Sequence, residues 1–502
     1  MIDPPRTTWK GGGTALLCFC LLSPGCRERS ASSAPVRIAH EAPLISLDPV
    51  AASDSIAKSV LSNFYDALVD HDAQMRPIPD LALSWSSPDE RTWILPLRTD
   101  VLAHDGGVLT PRDVRVSLDR ARSAPESAVR DRLATIESVE VEGTVLRIHT
   151  RVPDPSLLER LADVLIAPER ATATLAQKPV GTGPYQFVRG SEARIEARAF
   201  PGCWRGRPRI ELAEFLSLDG GAALQALSRG EVDVLRWVPE ARVAEFQALP
   251  GIRVVGRHGL RALYLWMNSE KQGSVRNPFA DKRVRRALSF AIDRDALIAG
   301  LGGRGTSLER FFPQAVLGHV SGSGALAFDP SRSRSLLREA GYPDGFKTEL
   351  VAASGAEPVV ALIVPMLGSV GVEVQPKSTT WTQMLPLWQT AHLPFFLGSW
   401  WFSSGDASLF LKECLGTRPR DATTGWNPGY SDPALDRLVD EDFRIFGDPK
   451  RFKHLELLTE FLLEAMPLVP LVSRDDVYAV RGPVQWEPRV DGRLLATEMA
   501  WE

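Results

Sequence analysis

Asp281-Lys-Arg-Val-Arg-Arg-Ala-Leu-Ser-Phe-Ala-Ile-Asp-Arg-Asp-Ala-Leu-Ile298 reads as one helical segment. Asp281 is a good N-cap, and Val284, Ala287, Leu288, Ala291 and Ile292 recur at helical spacing, while Arg283, Arg285 and Arg286 fall mostly on the other side. The pattern predicts a helix that packs a core and binds nothing, so ligand contacts belong elsewhere.

Working outward, Asn277-Pro278 precedes the segment and Leu263-Tyr-Leu-Trp-Met-Asn268 reads as a buried strand before it. Gly300-Leu-Gly-Gly-Arg-Gly305 formally fits a dinucleotide-binding spacing, but it follows a helix and reads as a glycine-rich helix exit. Upstream, Val36-Arg-Ile-Ala-His40 alternates as a strand, and Asp54 or Ser55 caps a helix carrying Ile56, Val60, Leu61, Phe64, Leu68 and Val69. Thr110-Pro111 starts another helix, Glu142-Gly143 marks a hairpin within 135–150, and a helix stops at Gly230 before a strand at Val232. The glycines of Pro179-Val-Gly-Thr-Gly-Pro-Tyr185 are expected to meet backbone angles closed to other residues.

These phrases, with Asn63-Phe-Tyr-Asp-Ala-Leu-Val69, Leu109-Thr-Pro-Arg-Asp-Val114 and Ala291-Ile-Asp-Arg294, resemble the solute-binding proteins of bacterial peptide-type ABC importers, from about residue 36 to about 471. The resemblance implies an α/β, periplasmic-binding-protein-like fold of two hinged lobes with an extra domain on the first. It places lobe I at 36–60, 180–262 and 472–502, the extra domain at 61–179, and lobe II at 263–471.

The chain of 502 residues exceeds one core, and its net charge of -4 gives no basic footprint for nucleic acid. Residues 1–26 combine Arg6 and Lys10 with the apolar run Ala15–Leu22 and end in Ser23-Pro24-Gly25-Cys26. The run is too short to span a bilayer and reads as an export signal of lipoprotein type, with Cys26 acylated and 27–35 a polar tether. Ser23 stands where the usual lipoprotein motif has leucine. Localisation is then the periplasm or cell surface, through a lipid anchor. Cys203 and Cys414 are expected to be separate buried thiols.

Eight scattered histidines without metal-ligand spacing, and no hydrolase motif, point away from an enzyme; no cofactor or metal is expected. The informative cluster is aromatic. Trp381, Trp388, Trp400, Trp401 and Trp426 are five of thirteen tryptophans, and indole suits a pocket wall that holds a ligand by contact area, although core filling competes with that reading. In the family resembled, the loop after Trp400 and Trp401 faces the cleft, and peptide binders carry Trp-x-x-Asp there to meet an α-ammonium. Here the residue three after Trp400 is Ser403, a hydroxyl that supplies no charge, and Asp406 is the acid able to meet a cationic group. Leu44 and Ser46, after the first strand, and Trp426 and Asn427 complete the expected lining. The expected role is the binding component of an importer, a monomer that captures a peptide-like solute for separate permease and ATPase subunits. An extracytoplasmic hydrolase and a non-transport sensor or chaperone are the alternatives.

Overall fold

The computed structural model describes residues 34–44, 46–51, 54–239, 242–270, 276–320, 326–419 and 425–502; the export segment and Cys26 lie outside them. The chain opens with β1 (Val36–His40) and α1 (Ser55–Leu61), whose cap Asp54 accepts from the Ile56 and Ala57 amides. Helical spacing pointed onward to Val69, but the helix ends at Leu61. The Asn63 side-chain amide donates to the Ser59 and Leu494 carbonyls and its Oδ1 accepts from the Ala496 amide. This polar side chain diverts the backbone from the helix, and Phe64 and Leu68 are buried outside it.

A first subsidiary sheet contains β2 (Ser86–Asp89), β3 (Thr92–Pro96), β4 (Ile136–Glu142) and β5 (Val145–Thr150), in the antiparallel order β2-β3-β5-β4. α2 (Pro111–Ser123) packs on it and begins at the expected place, with a reciprocal Thr110 and Asp113 cap and proline in the first turn. Trp93, Leu95, Val114, Leu118, Leu146 and Ile148 give this part its own apolar cluster.

The large sheet follows: β6 (Tyr185–Ser191), β7 (Arg194–Ala199), β8 (Leu212–Ser217), α3 (Gly220–Arg229), β9 (Val234–Leu235) and β10 (Ile252–Met267). After α4 (Lys282–Ala291) and α5 (Arg294–Gly300) come β11 (Phe346–Ala353), β12 (Val372–Thr379), α6 (Trp381–Gln389) and β13 (Phe395–Trp401). α7 (Pro433–Asp442), α8 (Asp448–Ala465) and β14 (Leu468–Arg481) close the pattern. The strands run β6-β7-β8-β1-β9-β14-β10-β13-β11-β12, with Thr306–Ser307 pairing on β14.

β1 is parallel to β8 and β9, and β11 is parallel to β12 and β13. Between these two groups, β10 and β14 pair antiparallel from Ile252 opposite Arg481 to Trp266 opposite Leu468. The expected lobe boundaries at 262/263 and 471/472 therefore fall inside two continuous strands. β14 supplies Val480 to an apolar cluster with Val36, Ile38, Tyr185 and Phe215, and Val469 to another with Tyr264, Trp266, Leu288 and Phe396. Burying each such side chain contributes about 1.5–3 kcal/mol, so one strand ties two cores together.

The opening sequence forms two helices rather than one, because Ile292 leaves helical geometry and Asp293 caps α5 by accepting from the Ala296 amide. Arg285 is also not on the solvent side. It is buried and donates to the Met466, Phe279 and Ala465 carbonyls, while buried Arg294 donates to Pro470 and Leu326. Both guanidinium groups take up carbonyls where β14 begins, which offsets the cost of burying their charge. Gly181 and Gly183 have ordinary backbone angles; an added Cβ would meet the Phe64 backbone at 2.2 and 2.5 Å, so close chain approach is what demands glycine there. Cys203 and Cys414 are separate buried thiols.

Candidate functional site

Open α/β sheets offer recesses beyond the carboxyl ends of their parallel strands, where backbone leaves the sheet and side chains converge. Two such edges face one another here. β1 and β9 end at His40 and Leu235 and run toward the middle of the β10 and β14 ribbon, and β13 ends with Trp401 opposite Arg261 from the other direction. Arg261 also lies opposite Arg474 of β14. A recess of about 260 Å³ sits at this meeting point, lined by Glu41, Trp237, Pro239, Arg261, Arg474 and Asp476.

Its floor is tightly organised. The Trp237 indole N–H donates to Asp476 Oδ1 at 3.0 Å, with the Trp237 backbone in the left-handed region at φ 59°. The Arg261 guanidinium carbon lies 4.1 Å from the centre of the same indole. Glu41 is taken by Arg236 at 2.8 Å, and Asp475, which also lines the recess, by His258 at 2.7 Å. Burial, and then the neighbouring Arg474 and Arg236, outweighs the pull of Asp476 and lowers the Arg261 pKa below the usual arginine range, which still leaves it charged. Neither Trp237 nor Arg261 was among the expected lining residues. The available signal was the single charge of Arg261 inside the otherwise apolar run Leu260–Met267.

The tryptophans divide into two sets, because successive residues of a strand point to opposite faces. Trp400 shares its face with Phe410 and Trp426, at ring separations of 5.7 and 5.9 Å, and Trp426 continues to Trp388 at 5.3 Å and Trp388 to Trp381 at 6.1 Å. This chain of edge-on rings runs from core to rim. Trp388 is buried and donates its N–H to the Trp426 carbonyl, whereas Trp381 is 49 % exposed. Trp401 stands on the other face, with Arg261, and is half-buried like Trp400 and Trp426.

Other expected lining residues have structural partners. Asn427 is buried, donates to the Gly416 and Tyr430 carbonyls and accepts from the Gly429 and Tyr430 amides, so its amide group is consumed in shaping its own loop. Leu44 is buried and its N–H donates to Glu192, while the half-buried Ser46 accepts from the Asp48 amide through Oγ. Ser403 is half-buried and its amide donates to Trp401.

Asp406 is the clear correction. The residue is 3 % exposed, and its carboxylate lies 2.7 Å from Arg451 Nη1 and accepts from the Ser408 amide at 2.7 Å. Arg451 also meets Asp442, so Asp406 belongs to an internal ion network and is not presented to a cationic ligand group. Above that network lies a recess of about 1040 Å³ between Met75, Trp85, Leu158 and Glu159 on one side and Leu317, Gly405 and Phe452 on the other. Met75 packs so closely that a Cβ on Gly405 would come within 2.9 Å of it. Burial first, and Asp406 second, raises the Glu159 carboxyl to about 7, and its Oε2 is buried without a hydrogen-bond partner.

Among the described residues no group of three His, Cys, Asp or Glu side chains could hold a metal ion, and no helix is long and apolar enough to cross a membrane.

Residues 76–421 match the family described as bacterial extracellular solute-binding proteins, family 5 Middle. The chain is 30% identical over 419 residues to the glutathione-binding protein GsiB of Pectobacterium atrosepticum, covering 78% of this chain and 79% of that one. Among solved structures it is similar to HbpA2 of Haemophilus parasuis, with TM-score 0.80 and 22% identity over 93% of this chain and 99% of that one. It is also similar to the periplasmic binding protein DppA of Helicobacter pylori in complex with the peptide STSA, with TM-score 0.74 and 22% identity over 93% and 98% of the two chains. The fold is therefore periplasmic-binding-protein-like.

Proposed function

This chain belongs to the bacterial extracellular solute-binding proteins of family 5, and from that premise we propose that it is the substrate-binding component of an ABC importer, holding a peptide or peptide-like solute between two halves. The observation that carries the reading is the convergence of two carboxyl-end edges on the shared β10 and β14 ribbon, with Trp237 and Arg261 beneath and Trp401 alongside. The lobes extend over 36–60, 180–262 and 472–502 on one side and 263–471 on the other, with 61–179 as the extra domain. Bending at the ribbon closes the halves by trading cleft water for indole contact and backbone hydrogen bonds, and the closed form is what separate permease and ATPase subunits recognise. Export through the first 26 residues and acylation of Cys26 tether this monomer to the membrane.

The names of the similar proteins, glutathione-binding in one and peptide-bound in another, support a peptide-like solute. Ser403 and the engagement of Asp406 by Arg451 narrow it, since an α-ammonium enclosed at this loop would lack a counter-charge at a cost of several kcal/mol. Calorimetric titration with glutathione and with short peptides tests the reading. Saturable one-to-one binding with the solute recovered intact supports it, and turnover of the solute would replace it with a hydrolase.

A further inference from the structure

The Arg261 guanidinium makes no hydrogen bond or ion pair with any described residue, although it is half-buried at the floor of the recess. Glu41 is paired with Arg236 and Asp475 with His258, and Asp476, which accepts from the Trp237 indole N–H, acts on Arg261 through its charge without a hydrogen bond or ion-pair contact. The guanidinium carbon lies 4.1 Å over the Trp237 ring centre, and its N–H groups have no hydrogen-bond partner among the described residues, so they are free to take a planar carboxylate by two parallel hydrogen bonds. Trp237 cannot swing away without giving up its bond to Asp476, so the shelf is set before a ligand arrives. The recess holds about 260 Å³, room for the end of a small solute rather than the whole of it.

We propose that Arg261, laid on Trp237, receives a free carboxylate of the solute and makes the protein selective for peptide-like acids over their amides and esters. This rests on the solute-binding reading above and adds the ligand class. An acid end at Arg261 anchors the solute electrostatically at the ribbon, and the loop at Ser403 makes no demand for a cationic end.

The test is native mass spectrometry of the full chain against a pool of peptides of two to five residues, offered as free acids and as C-terminal amides, with glutathione and its diethyl ester. Loss of a charge-assisted bidentate contact corresponds to about ten-fold or more in affinity, so wild type should retain acids over amides and esters by at least that factor. Arg261→Gln should abolish the preference and Arg261→Lys should keep part of it, because the charge stays while the fork is lost. The wild-type comparison stands even if a variant fails to fold. Equal retention of acids and amides, or an unchanged preference in Arg261→Gln, overturns the carboxylate assignment and leaves solute binding intact. Retention of nothing from the pool sinks the solute-binding reading and this assignment with it.

Discussion

Arg451 shows how much of this molecule depends on single buried charges. It is 3 % exposed and holds two carboxylates, Asp406 and Asp442, in place. Arg451→Met should leave both acids buried without a counter-ion and cost about 3–5 kcal/mol in urea unfolding. Glu159 sits against the same network. Its carboxyl moves from a reference value of 4.5 to about 7, so between those values the folded chain keeps a proton that the unfolded chain has released. The stability it contributes is complete below about pH 4.5 and lost as pH rises through about 7. Glu159→Gln, permanently neutral, should flatten the fall in urea midpoint between about pH 5 and pH 8. Ser403→Asp should strengthen binding of solutes with a free ammonium by roughly ten-fold in competition titration, since it restores a counter-charge at the loop. At this scale the sequence is legible only in part. The serine at 403 can be read from the chain, but the partner of Asp406 lies 45 residues away and no local pattern points to it.

Among elements, those governed by local rules were readable and those governed by tertiary pairing were not. The Thr110 cap, the hairpin at Glu142-Gly143 and the stop at Gly230, in the left-handed conformation at φ 70°, follow from short-range stereochemistry. β10 was visible only from Leu263 because Arg253, Arg257, His258 and Arg261 interrupt its apolar pattern, yet it runs 16 residues as a shared central strand. The α1 helix was overextended because apolar spacing says nothing about a side chain such as Asn63 bonding to the distant C-terminal segment. Two tryptophans of α6 separate core from rim. Trp388→Ala removes a ring buried against Trp266 and Phe396 and should cost about 3–5 kcal/mol through the cavity it leaves. Trp381→Ala, at an exposed rim position, should cost less than about 1 kcal/mol of stability, with any effect appearing in solute affinity.

For the molecule as a whole, a single sheet passes through two apolar cores by way of β10 and β14, and the parallel strands of each half end at the same place along them. That arrangement leaves a recess where, among the described residues, a two-stranded ribbon joins the two groups of parallel strands within the sheet. Phrase-by-phrase resemblance along the sequence conveyed the periplasmic-binding-protein-like fold class, whereas the Trp237 and Arg261 floor emerges only when Asp476, 239 residues beyond Trp237, is brought against the Trp237 indole. The central claim is that the halves retain one small solute and return it unaltered. It is tested most directly by exposing the full chain to a peptide-rich digest, isolating it and weighing it under native conditions before and after unfolding. The account predicts a complex heavier than the bare chain by one small solute, released with its mass unchanged and identical to a component of the digest. A bare chain throughout, or a released molecule found only as a fragment of what was supplied, would contradict it.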